Sequence, residues 1–332
     1  MPRPVSEQVV VVTGASSGIG RAAARLFARS GATVFAAARD VHALDSLVTE
    51  VGDRIVPVPT DVTDPASVRA LADTAVYQAG RIDTWVNAAA IHEYAWFEET
   101  EPAEFAQVLH TNVLGQVHGA YAAIRRLAEN DTGGVLIGVS SVEGVRAVPL
   151  QAPYVTSKWA LRGFYDTIRM EMALRHPKVK VTTVLPASID TPIFEHARTK
   201  LEHLPKPPPP LYAPDVVARA IVHAARRPQR ELPVGGSAVQ FMLGQRFAPS
   251  VMDWLLSRRF AAVQGQQTDL SNPGTDNLRA PMPGGRERGT VEQSVSSVKE
   301  RSLFTELVWQ RPMVKRGLIG AALGAIGWAI TR

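Results

Sequence analysis

The run Val9-Val10-Val11-Val12, followed at once by Thr13-Gly14-Ala15-Ser16-Ser17-Gly18-Ile19-Gly20, restricts this chain to few folds. Four consecutive valines make a short strand that is apolar on both faces, which suits a parallel sheet covered on both sides. The glycines form a turn that opens a helix, Arg21 to Ser30, closed by Gly31. Strand, glycine turn and helix start are the context a dinucleotide-binding turn requires. Glycine lets backbone approach a pyrophosphate, and the helix N-terminus offers it free N–H groups. The spacing Gly14-x-x-x-Gly18-x-Gly20 departs from the common G-x-G-x-x-G, and a bare glycine turn is a weak signal; the flanking strand and helix raise it.

The alternation then repeats. Strands are expected at Thr33–Ala38, Arg54–Pro59, Thr84–Val86, Val135–Val139 and Val179–Leu185. Helices are expected over Pro65–Gln78, opened by Asp64 with proline in first position, over Ala103–Glu129 and over Tyr154–Arg175. This order predicts an α/β chain with a Rossmann-like, doubly wound parallel sheet, helices on both faces and ligands at the C-terminal strand ends.

Those strand ends carry the chemistry. The second ends Ala36-Ala37-Ala38-Arg39, with no acid to bond the adenosine-ribose hydroxyls. Arg39 is either a solvated loop charge or a planar fork for a 2′-phosphate, which favours NADP over NAD, with NAD still open. Asp40 can as easily cap the next helix. Asp61 is either a turn carboxylate or an acceptor for the adenine amino group. After the fourth strand, the small residues of Asn87-Ala88-Ala89-Ala90 leave room for a cofactor near the backbone. Ser140-Ser141 ends the fifth strand and by default is a turn or helix cap. Tyr154 and Lys158 lie one helical turn apart on one face, by default an ordinary half-buried surface.

Taken together and in this order, Thr13–Gly20, Asp61-Val62, Asn87-Ala88-Ala89, Asn112, Ser140-Ser141, Tyr154-x-x-x-Lys158, Pro186 and Thr191-Pro192 resemble the short-chain dehydrogenase/reductase family over about residues 5 to 230. The resemblance implies a catalytic tetrad of Asn112, Ser141, Tyr154 and Lys158. Ser141 is chosen over Ser140 for its separation from Tyr154. The cofactor positions it implies are Gly14, Ser16, Ser17, Gly18, Ile19, Gly20, Arg39, Asp61, Val62, Asn87, Ala88, Tyr154, Lys158, Pro186, Ile189 and Thr191. Ala90 and Pro186-Ala187 depart from the family's usual Gly at the corresponding loops. The implied reaction is carbonyl–alcohol interconversion. Tyr154 exchanges the proton, Lys158 lowers the phenol pKa and holds the ribose, Ser141 bonds the substrate oxygen, and the Asn112 backbone binds a water joining Lys158 to solvent. A non-catalytic nucleotide-sensing or scaffold protein is the alternative, against which the intact Ser-Tyr-Lys set speaks.

Composition narrows the classes. There is no cysteine, so neither disulfides nor thiolate chemistry; this agrees with a cytoplasmic compartment. The net charge of +5 is scattered, without a basic stripe interleaved with aromatics, so nucleic acid is not an expected partner. The eight histidines show no ligand spacing, and no metal is expected. Ile193–Pro210 is a candidate lid whose closing run of four prolines is either a rigid surface connector or one hinge of a substrate lid, with Trp96, Val142, Glu143, Val148 and Leu150 near a small or medium hydrophobic carbonyl substrate. The long helices over Ala103–Glu129 and Tyr154–Arg175 match those that pair subunits in the family the chain resembles, and the resemblance implies a homodimer or homotetramer.

The domain plan is a catalytic domain over 1–235, a helical extension over 236–263 expected to pack on or near the substrate site, a flexible polar linker over 264–298 and a C-terminal segment over 299–332. Its uncharged run Gly317–Ile330 is short of the ~20 residues of a bilayer span. It is expected to dock on protein or to touch a membrane.

Overall fold

The computed structural model describes residues 2–260, 266–290 and 298–310. Its strands are β1 (Val9–Thr13), β2 (Thr33–Ala38), β3 (Ile55–Pro59), β4 (Thr84–Asn87), β5 (Glu93–Tyr94), β6 (Gly134–Val139), β7 (Val179–Pro186), β8 (Arg198–Thr199), β9 (His203–Pro205), β10 (Glu231–Val234) and β11 (Gln267–Ser271). Its helices are α1 (Gly18–Arg29), α2 (Val41–Val51), α3 (Pro65–Ala79), α4 (Pro102–Leu109), α5 (Gly115–Glu129), α6 (Ala152–Arg175), α7 (Pro214–Arg226), α8 (Gly236–Phe247), α9 (Pro249–Phe260) and α10 (Leu303–Gln310).

Seven strands form one sheet in the order β10-β7-β6-β4-β1-β2-β3, every pairing parallel. The alternation of side chains along β1 divides the core in two. Val10 and Val12 face Ala22, Ala23 and Phe27 of α1 and Val217 and Ile221 of α7. Val9 and Val11 face Leu71 of α3, Leu127 of α5 and Leu161 and Tyr165 of α6. A strand apolar on both faces is therefore required at the centre of the sheet. From β1 the chain winds out to β2 and β3, then returns to place β4 on the other side of β1. A crevice at the C-terminal strand ends, where the winding reverses, follows from that topology.

Three expectations change. The stretch Ala103–Glu129 is not one regular helix: a π-helical turn, His110–Leu114, separates α4 from α5 and carries Asn112. The helical extension is two helices with Ala248 between them, because Pro249 has no N–H with which to continue α8. The polar stretch expected as a linker is, over its described residues 266–290, held against the body. There β11 pairs antiparallel with β9, and the following residues return across the C-terminal strand ends. Its glycines and polar residues meet backbone and charged groups of the body, a pairing composition does not announce. Among the described residues no helix is long and apolar enough to cross a membrane; Gly317–Ile330 lies outside them.

Candidate active site

The glycine turn sets the floor of a deep cleft. Gly14 has φ +73°, and a Cβ there would fall 2.7 Å from Ala89 Cα; one on Gly20 would fall 2.1 Å from Gly14 O. Only glycine lets the turn close this tightly on the loop after β4 and on the first turn of α1. The cleft runs from Gly14, Ser16, Ser17, Gly18, Ile19 and Gly20, past Arg39, Asp61, Val62 and Ala88, to Ser141, Tyr154, Lys158, Pro186, Ile189 and Thr191. Fold topology thus brings residues from six strand ends to one surface. Among the described residues no group of three or more His, Asp or Glu side chains is placed to hold a metal ion.

The end of the cleft that carries Ser141, Tyr154 and Lys158 is built by β6 and α6. Ser140 donates its hydroxyl to Lys158 O at 2.9 Å, tying the strand end to the helix. Ser141 is left to face the cleft, and its hydroxyl accepts Glu143 N at 3.1 Å. Lys158, 2% exposed, donates from Nζ to Val139 O at 3.2 Å and lies 5.1 Å from the Tyr154 ring centroid. Behind Tyr154, His92 and Tyr94 form a stack with it.

Burial governs the electrostatics. It raises Tyr154 well above the usual phenol range, Glu143 adds to the rise, and the Ser141 hydrogen bond opposes it. The expected lowering by Lys158 is therefore not what the site displays. Burial also lowers Lys158 to about 8, with Glu143 opposing, and raises Glu143 to about 7, with Lys158 opposing. His92, buried and hydrogen-bonded to Gln151 Oε1 at 2.9 Å, is lowered to about 3 and stays neutral. Near neutral pH the phenol is protonated.

Two expected site residues do not line the cleft. Asn87 is 1% exposed and its side chain is consumed internally. Its Oδ1 accepts Trp85 Nε1 at 2.8 Å, and its Nδ2 donates to Gln116 O and Tyr165 Oη, each at 3.1 Å. Asn112, fully buried, accepts Ile91 N at 2.8 Å and donates to Ile91 O at 2.9 Å and Ser157 Oγ at 3.1 Å. It clamps the loop after β4 against α6. Asp61 faces the cleft, but its Oδ1 accepts both Thr63 N and Thr63 Oγ as a turn carboxylate. Asp40 caps α2 through Ala43 N at 3.1 Å.

Of the substrate-side expectations, Val142, Glu143 and Val148 line the cleft, whereas Trp96 is 41% exposed outside it and Leu150 packs with Tyr94 and Leu201. Phe194, from the stretch read as a lid, and Phe241, from the helical extension, also line it; His92 and Arg146 join the lining unannounced, as do Asn277, Pro281 and Met282 from the polar stretch. Arg146 donates to Gln245 and Asp253, fastening α8 and α9 beside the cleft. None of these residues has a spacing signal; each arrives through long-range packing.

Comparison with known proteins agrees with this geometry. The family profile described as short chain dehydrogenase matches residues 8–202. An uncharacterized oxidoreductase, YxnA of Bacillus subtilis strain 168, is 34% identical over 336 residues, covering 99% of this chain and 92% of that protein. An uncharacterized oxidoreductase of Staphylococcus saprophyticus, SSP1627, is 32% identical over 68% of this chain and 92% of its own. Among solved structures, a 3-ketoacyl-(acyl-carrier-protein) reductase from Brucella melitensis complexed with NADH superposes with TM-score 0.61 at 26% identity, over 70% of this chain and 98% of that one. A short-chain dehydrogenase from Streptomyces avermitilis gives TM-score 0.64 at 28% identity, over 78% and 99%.

Proposed function

The chain belongs to the short chain dehydrogenase family of oxidoreductases, whose members bind a nicotinamide cofactor, and from that premise we propose that it reduces a carbonyl compound to an alcohol using NADPH in preference to NADH. One observation carries the reading: Ser141, Tyr154 and Lys158 stand on the wall of the same cleft whose other end is the glycine turn and Arg39.

The residues present fit such a cofactor. The tightly closed turn leaves the α1 N-terminus facing the cleft, and Arg39 brings a guanidinium fork suited to a 2′-phosphate. Lys158 and Thr191 stand where the nicotinamide half would be held, and Ile189 beside them. When bound, the cofactor supplies or accepts the hydride. Tyr154 gives the proton to the developing alkoxide, and the high phenol pKa keeps that proton available at neutral pH. Ser141 steadies the substrate oxygen by a hydrogen bond that strengthens as charge develops. Lys158 supports the phenolate left behind. In the reverse direction Tyr154 is the base. The lining by Val142, Val148, Phe194 and Phe241 suits a hydrophobic substrate.

Assembly follows the same reading. Tyr121 of α5 and Trp159, Met170 and Leu174 of α6 are large apolar side chains left 43–84% exposed, consistent with two-fold pairing through these helices. Light scattering at micromolar concentration should give a dimer or tetramer. The run Gly317–Ile330, judged from its sequence alone, is kept as a docking segment for membrane or protein. Deleting 311–332 should leave specific activity nearly unchanged and reduce any membrane-bound fraction.

The deciding experiment is a screen of ketones, aldehydes, steroids, sugars and acyl thioesters, following NADPH oxidation. Tyr154→Phe is the control, expected to lose about 10²–10⁴-fold in rate with cofactor affinity near wild type. Substantial turnover by Tyr154→Phe overturns the assignment.

A further inference from the structure

Residues 276–290 cross the mouth of the cleft and are fastened to both banks. On the β2 side, Arg39 Nη1 donates to Arg279 O at 3.1 Å and Nη2 to Asn277 O at 3.3 Å, while Gly284 N donates to Asp40 Oδ2 at 2.7 Å. At the glycine turn, Gly285 N donates to Ser16 O at 2.9 Å and Gly18 N donates to Arg286 O at 3.0 Å. On the opposite bank, beyond β7, Gly289 N donates to Asp190 Oδ1 at 3.1 Å, Arg286 pairs with Glu195 at 2.9 Å, and Asn277 N donates to His196 O at 3.0 Å. Glu287 pairs with Arg25 on α1 at 2.6 Å, and Asp276 with Arg198 at 2.9 Å.

This strap bounds the cleft without filling it. Asn277, Pro281 and Met282 line the same continuous space as Tyr154 and Lys158. The strap touches the glycine turn directly at Ser16 and Gly18, and beside that contact the space runs under Asn277, Pro281 and Met282. The fastenings are backbone hydrogen bonds, side-chain hydrogen bonds at Arg39, Asp40 and Asp190, and ion pairs. Arg25–Glu287 is largely buried and doubly hydrogen-bonded, whereas the Arg286 and Arg198 side chains are 42% and 39% exposed, and those water-competed contacts are the ones that can yield. Arg39 has five N–H donors, of which the strap carbonyls engage one on each terminal nitrogen, leaving others for a phosphate.

We infer that residues 277–289 are part of the cofactor site, a clasp that closes over the adenosine and pyrophosphate half of the dinucleotide and must open before it leaves. The inference rests on the dinucleotide reading above. It extends the site beyond residues 8–202, the region matched by the family profile. It also gives the polar stretch a role in retaining cofactor between turnovers.

The test uses the full chain, which contains no native cysteine. A Cβ built on Gly284 falls 3.1 Å from Ala43 Cβ of α2, so Ala43→Cys with Gly284→Cys would put two thiols close to disulfide range after a small adjustment. The variant is loaded with NADPH, oxidised, and chased with excess NADP⁺ while release is followed by fluorescence. Oxidation should slow release by at least about tenfold, and reductant should restore it. Independently, Glu287→Ala, which removes the Arg25 ion pair, should speed release by about threefold or more. Failure of the pair to oxidise, as read by mass, places the strap away from α2 and overturns the clasp. Release indifferent to oxidation also overturns it while leaving the dinucleotide reading standing. Absence of NADPH and NADH binding by the unmodified protein overturns the dinucleotide reading itself, and the clasp with it.

Discussion

The imidazole of His92 stacks on the phenol of Tyr154, ring centroids 3.9 Å apart and planes inclined by 23°. On its other face His92 stacks on Tyr94 at 4.3 Å and 10°. A neutral, buried ring thus backs the proposed proton donor and leaves it little freedom to turn from the cleft. His92→Ala removes both stacks, together worth about 1–3 kcal/mol. It should lower Tm and reduce kcat more than it raises the cofactor Kd, whereas His92→Phe should keep most of both. An alanine variant with unchanged kcat would show that the stack does not position Tyr154.

Glu143 gives a prediction about pH. Its folded pKa of about 7 lies above the ordinary 4.5, so between those values the folded state binds more protons than the unfolded chain. Stability from this group is therefore lost as pH rises from 4.5 to 7, and the full penalty is present above 7. Lys158, lowered to about 8, acts oppositely in a separate window: its penalty is present below 8 and is relieved as pH rises toward 10.5. The Glu143→Gln variant should thus gain in Tm over the wild type on going from pH 5 to pH 8. Thermal melts with the same Tm difference at both pH values would contradict this.

Arg39 is expected to set cofactor preference. Replacing it with alanine removes a charge-assisted contact worth about 1.5–3 kcal/mol, so the NADPH preference over NADH should fall by roughly 10- to 100-fold. The loss should appear in NADPH affinity, with NADH affinity changed far less. Equal binding of both dinucleotides by the unmodified protein would sink the proposal.

Gly119 separates stability from chemistry. A Cβ on it would fall 2.1 Å from Asn87 Oδ1, inside the buried network that Asn87 forms with Trp85, Gln116 and Tyr165. Gly119→Ala should destabilise the fold by roughly 1–3 kcal/mol through overpacking and lost hydrogen bonds. Denaturant titration should detect it, and the cofactor Kd of the remaining folded fraction should stay near wild type. A variant as stable as the parent would show that the network yields without strain.

The sequence alone determined the architecture and most of the cleft, because those depend on local rules. Four valines in a row dictate a doubly covered strand, glycine is required where Gly14 and Gly20 close on their neighbours, and strand–helix alternation selects the parallel sheet. The spacing of Tyr154 and Lys158 on one helix face was likewise legible. Only the tertiary structure decided the rest. The amide of Asn87, expected near the cofactor, turns into the core because Trp85, Gln116 and Tyr165 converge there from three elements. The phenol of Tyr154 sits above its usual pKa, since burial is a property of the assembled surroundings and not of a Tyr–Lys spacing. Residues 276–290, polar and without periodicity, are ordered over the cleft by partners far away in the chain, such as Arg25, Arg39, Asp40 and Glu195. Contacts of that separation leave no mark in the local pattern of either segment; they exist only once the sheet has brought its strand ends together.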